Sequence, residues 1–168
     1  MKSGFGIGKI FGIQIRIDWS WLLIFLLVVW NLGTAFGQLH EDWGDTLRWG
    51  MAVAAALLFF SSVLAHEIAH SLVAKARGIP VRSITLHLFG GVSDIQREPD
   101  SPGSEFVMAI LGPVTSFIIG GILTWVVLLG AGIMGAMQNP AQALSDLGPL
   151  STILLWVGSI NVIKKEII

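Results

Sequence analysis

A membrane protein, mainly α-helical, with four transmembrane helices and a small β-sheet at the cytoplasmic membrane face, is the fold class this sequence predicts. Three observations carry that reading. Hydrophobic residues make up 54% of the 168 and charged residues only 12%, against roughly 25% charged in soluble domains. Four apolar segments approach the ~20 residues that span a bilayer. Two short stretches alternate with period two, as half-buried strands do. The length allows one domain, residues 1–168. The net charge of −1 argues against a nucleic-acid partner. The absence of Cys removes disulfides and thiolate ligands, so any zinc must use His and carboxylates.

The elements follow in order. Residues 10–17 set Phe11, Ile13, Ile15 and Ile17 against Gly12, Gln14 and Arg16, a strand pattern. Asp18 and Ser20 can cap the first helix, which covers about residues 19–36. It is the first long apolar run and reads as a retained signal anchor rather than a cleavable signal peptide. The second span covers about 48–74, and residues 50–64 within it carry no charge. Residues 83–88 alternate again, Phe89-Gly90-Gly91 supplies a turn, and Val92 to Gln96 returns as a partner strand. Pro99 to Ser104 reads as a loop, and Glu105 opens a third span over about 106–134. The fourth, about 147–163, is short and holds Gly148, Pro149 and Gly158.

Lys and Arg orient the spans. Lys2, Lys9, Arg16, Lys75, Arg77, Arg82, Arg97, Lys164 and Lys165 share one side when there are four spans, leaving Arg48 opposite. Both termini are therefore expected in the cytoplasm of a bacterial or archaeal cell. Trp19, Trp21, Trp30, Trp43 and Trp49 read mostly as interfacial anchors. Gly112-Pro113 reads as a kink, and Gly120-Gly121 as a close helix contact.

His66-Glu67-Ile68-Ala69-His70 ends the uncharged run. Residues i and i+4 share a helix face, so His66 and His70 can bind one metal ion, and Glu67 can reach a water on it. H-E-x-x-H is the zinc-peptidase pattern. Ionisable groups in or beside a span are costly and mark function. Catalytic zinc takes three protein ligands and keeps a fourth position for water, so a third ligand has to come from elsewhere. Other candidates have plainer accounts: His87 as the polar face of a strand, His40 as a solvated loop residue, Asp94 as a turn or surface residue, and Glu105 as a favourable charge at a helix start.

These residues together resemble the site-2 protease family of intramembrane zinc metalloproteases. The likeness runs through Gly8-Lys9-Ile10-Phe11-Gly12-Ile13, Ile15-Arg16-Ile17, Ser20-Trp21-Leu22, His66-Glu67-Ile68-Ala69-His70-Ser71 and Leu88-Phe89-Gly90-Gly91. It continues through Ser101-Pro102-Gly103-Ser104-Glu105-Phe106 and Gly112-Pro113-Val114-Thr115-Ser116. The resemblance implies a zinc site below the cytoplasmic surface and cleavage of transmembrane segments of membrane-anchored regulatory proteins. By resemblance His66 and His70 are zinc ligands and Glu67 is the general base. The strand ending at Phe89, Gly90 and Gly91 looks like the family's substrate-edge strand, where an unwound substrate adds by backbone hydrogen bonds. The implied partners are a substrate's transmembrane segment and the lipid bilayer.

The family's third ligand is the Asp of a Leu-Asp-Gly in the fourth helix region, and no Leu-Asp-Gly occurs here. Ser159-Ile160-Asn161 looks like the start of that helix, after which Lys164-Lys165-Glu166-Ile167-Ile168 follows. The expectation is a site-2-protease-like membrane core that is incomplete at its C-terminus. A truncated form, a frameshifted gene product and a degenerate homologue all fit. The alternative function is an inactive homologue or fragment that binds membrane segments without hydrolysis. No motif specifies the substrate or an oligomeric state.

Overall fold

The computed structural model describes residues 4–97, 101–131, 142 and 146–163. Their elements are β1 (Phe5–Ile10), β2 (Ile13–Ile17), α1 (Trp19–Leu39), α2 (Asp45–Ala76), β3 (Val81–His87), β4 (Gly90–Ile95), α3 (Pro102–Ala131) and α4 (Pro149–Ile163). The chain forms two compact units, Met1–Leu26 with Ser61–Ser116, and Leu27–Phe60 with Phe117–Ile168. Helices α1, α2 and α3 contribute residues to both.

The first unit holds the sheet, in the order β1-β2-β3-β4. Strands β1 and β2 are antiparallel, with Ile10 opposite Ile13. The expected single strand over residues 10–17 is therefore two strands. Phe11 (φ 52°) and Gly12 (φ 77°) both adopt positive φ, as a two-residue type I′ hairpin requires. The alternation of apolar residues runs through this turn and hides it. Strands β2 and β3 are parallel, Ile15 opposite Ile84. Strands β3 and β4 are antiparallel, Leu86 opposite Gly91. The strand that leads to Phe89 is thus interior, and β4 is the edge, which corrects the expected position of the open strand.

The buried face of this sheet and the end of α2 make one core: Ile13, Ile15, Ala74, Ile79, Val81, Ile84 and Met108, with Leu64 and Ile68 packed against it. Helix α2 ends in a Schellman motif. Gly78 has φ 74°, its N–H donates to Lys75 O (3.0 Å), and Ile79 N–H donates to Ala74 O (3.0 Å). Asp18 caps α1 through a bond from Ser20 N–H to Oδ1 (2.9 Å), and Leu88 N–H donates to Ser20 Oγ (3.2 Å). Helix α3 begins at Pro102, three residues before the expected Glu105. Ser101 accepts from Ser104 N–H (3.3 Å), and Pro102 occupies the first helical position, where no N–H is needed. The helix continues through Pro113.

The second unit packs Leu32, Phe36, Ala52, Ala55, Ile153 and Val157 into its own core. Small residues admit close approaches there. A Cβ on Gly33 would strike the Trp49 ring, and one on Gly120 would lie 2.7 Å from Gly158 O. Gly121 has open space instead. His40, expected as a solvated loop residue, is 3% exposed. Its ring stacks on Trp43 (4.1 Å between centroids, 4° apart), and Nε2 bonds Thr152 Oγ1 (3.1 Å). Trp43 and Trp49 are thus packing residues, whereas Trp19 and Trp30 are exposed.

Among the described residues, three helices are long and apolar enough to cross a membrane: Trp19–Leu39, Asp45–Ala76 and Pro102–Leu129. The expected fourth span is an apolar helix of 15 residues, Pro149–Ile163, shorter than the other three. Of the expected loop from Pro99 to Ser104, residues 102–104 belong to α3, while residues 99 and 100, the end of the third span at Met134 and the segment from Lys164 lie outside the described residues.

Candidate metal centre

All the groups described next belong to the first unit. Helix α2 places His66 and His70 one turn apart, and their Nε2 atoms lie 3.1 Å from each other. Each ring is held by its other nitrogen. His70 Nδ1 bonds the carbonyl oxygen of Met108. A carbonyl only accepts, so Nδ1 carries the hydrogen and Nε2 keeps its lone pair. His66 Nδ1 lies 2.9 Å from Ser116 Oγ. Metal-bound His rings are held in this way, with the far N–H given to a carbonyl or another outer partner.

The pair fits a zinc ion. Zn–N bonds of about 2.0–2.1 Å in a tetrahedron put two ligand nitrogens roughly 3.3 Å apart, close to the spacing here. Gly112 of α3 faces both rings, and a Cβ there would overlap His66 Nε2 and His70 Nε2. The bare glycine lets both rings pack against α3. Among the described residues, no group of three or more His, Cys, Asp or Glu is placed to hold a metal ion. Asp94 and Glu105 do not join the pair. Asp94 is exposed on β4 and accepts from Gln96 Nε2 (2.6 Å), and Glu105 is exposed in the first turn of α3. His87 lies on β3, with Nδ1 3.9 Å from Asp18 Oδ1.

Glu67, half-buried, is held from the sheet. Ser93 Oγ donates to Glu67 Oε2 (3.0 Å), and Ser71 Oγ lies 3.2 Å from Ser93 Oγ. Gly91 lets the carboxylate come this close, since a Cβ there would sit 2.9 Å from Glu67 Cδ. Of Phe89, Gly90 and Gly91, only Gly91 therefore meets the acidic group. Gly90 takes φ 128° in the turn, and Phe89 is 95% exposed.

Ser71, Ser93, Met108 O and Ser116 were not singled out as site residues from sequence, and Gly112 was read as a kink. The usable signal was the spacing of four between 108, 112 and 116, which puts them on one face of α3.

The sequence matches peptidase family M50 over residues 54–165. The chain belongs to that family. Among M50 relatives, a Synechocystis protein named as a zinc metalloprotease is 37% identical over 166 residues, 97% of this chain and 41% of its own length. Rip3 of Mycobacterium tuberculosis, also named as a zinc metalloprotease, is 31% identical over 163 residues, 97% of this chain and 40% of its own length. The solved site-2 protease of Methanocaldococcus jannaschii aligns with TM-score 0.57 and 28% identity, over 95% of this chain and 64% of that one. The chain thus spans about two-fifths of the length of the curated M50 relatives it matches. Three membrane-length helices and these relatives make it a multi-pass membrane protein of the M50 family.

Proposed function

We propose that this chain is the core of an intramembrane zinc metalloprotease that cleaves transmembrane segments of membrane-anchored regulatory proteins. The observation that carries this is the paired Nε2 atoms of His66 and His70, 3.1 Å apart, beside a glutamate tied to an edge strand. His66 and His70 would hold the zinc. Zinc bound there would lower the pKa of a water to about 7 and polarise the scissile carbonyl. Glu67 takes the proton as the water attacks and passes it to the leaving amine nitrogen. The free edge of β4 receives the substrate as an added strand. Strand addition matters because a helical substrate keeps its amides within its own hydrogen bonds until it unwinds. Phe89, Gly90 and Gly91, at the start of that strand, are the substrate-binding residues in this reading. Residues 1–168 form one such core, in a cell membrane with both termini cytoplasmic.

Ligand number among the described residues favours a second reading: binding of membrane segments without hydrolysis. Two His hold zinc loosely, and misplacing a reacting group by about 1 Å costs around 10²-fold. A reconstituted assay on a single-span reporter separates the two. It compares the chain, its Glu67→Gln variant, and a version extended by a Pro-Leu-Asp-Gly ending. The expected result is cleavage by the extended version that Glu67→Gln abolishes. Glu67-dependent cleavage by the unextended chain would show that its own residues suffice. No cleavage by either would contradict the protease reading.

A further inference from the structure

Helix α3 meets the His pair at three positions spaced by four: Met108 O at His70 Nδ1, Gly112 against both Nε2 atoms, and Ser116 Oγ at His66 Nδ1. We propose that Ser116 is a positioning residue of the metal centre, holding His66 by Nδ1 so that its Nε2 stays beside that of His70 where both rings pack against Gly112. This rests on the metal reading above.

Three observations support it. Ser116 is 3% exposed, so water does not compete for its hydroxyl. Helical Ser and Thr commonly bond the carbonyl four residues back, and the neighbouring Thr115 does so, donating to Leu111 O at 2.8 Å. Ser116 instead bonds a ring 50 residues away in sequence. The two ligands are also held unequally. His70 is anchored by a main-chain carbonyl, which fixes its tautomer whatever the side chain at 108. His66 depends on a hydroxyl, which can accept or donate. Accepting from Nδ1–H leaves the Nε2 lone pair free for the metal. Removing the hydroxyl takes this bond away from Nδ1–H, and the tautomer with a hydrogen on Nε2 blocks coordination. With a metal on Nε2, Nδ1 carries the hydrogen and the Ser116 hydroxyl can accept it, so Ser116 supports the coordinating tautomer at His66.

The test is titration of the full chain in detergent with Co2+ as the spectroscopic probe, alongside 15N NMR of the His side chains. Ser116→Ala should bind Co2+ about 10–100-fold more weakly, as loss of an outer partner does, with an altered visible spectrum. Its His66 nitrogen signals should shift toward a tautomer mixture while those of His70 stay in place. Ser116→Thr, which keeps the hydroxyl, should restore both. Thr115→Ala should match the wild type. Equal affinity in Ser116→Ala, or a loss of affinity without any change at His66, would overturn the proposal. Failure of the wild type to bind Co2+ at His66 and His70 would overturn the metal reading and this inference with it.

Discussion

At Glu67 the nearest neighbours decide what the carboxylate can do. Ser93 donates to Oε2, and Ser71 stands behind Ser93. That chain orients one carboxylate oxygen. Removing the Ser93 hydroxyl forfeits a bond to a charged acceptor, worth about 1.5–3 kcal/mol. Ser93→Ala should therefore lower kcat for reporter cleavage by roughly 10–100-fold in the extended version. KM and zinc content should hold, because Ser93 touches neither ligand. Unchanged kcat would show that the base is oriented by something else. The two His and Glu67 were legible because one helix carries all three within five residues. Ser93 and Ser116 were not, because each comes from another element, 26 and 50 residues from its partner. His40 was misread for the same reason: its partner Thr152 lies 112 residues on, and its polar neighbours gave no hint of burial.

The elements show where pattern reading works and where it stops. Helices α1 to α3 were plain from long apolar runs, and the ends of α1 and α2 and the start of α3 moved by only a few residues. The hairpin at Phe11-Gly12 was missed because Phe is an unusual residue at positive φ, and the Asn-Gly or Asp-Gly signal of such turns is absent. The sheet order was missed because β2 and β3 pair in parallel across two intervening helices, a pairing that no local pattern records. That order matters for function, since it puts β4 at an edge, as it does β1, and β3 inside the sheet. Strand β4 also approaches α2 at a glycine. Gly91→Ala would bring a Cβ to within 2.9 Å of Glu67 Cδ and displace the carboxylate. A displacement of about 1 Å predicts roughly 100-fold slower cleavage, with metal binding intact. Full activity in Gly91→Ala would show that the contact yields without moving the base.

For the whole molecule, charge placement makes the sharpest claim. Four crossings, the short α4 included, would put nine of the ten Lys and Arg on one side, so the chain should then be N-in and C-in. The chain has no Cys, so single introduced cysteines report cleanly. Cysteines at Ser3 and Ser101 should label from the cytoplasmic side, and one at Gln38 from the opposite side. Labelling of Gln38 and Ser101 from the same side would refute the arrangement. The claim on which the rest depends is that His66 and His70 bind zinc together. Metal analysis of the purified chain tests it most directly. The account predicts zinc in the wild type that is lost in the His66→Ala, His70→Ala double variant and lost on treatment with a chelator. Equal zinc in wild type and double variant would contradict it.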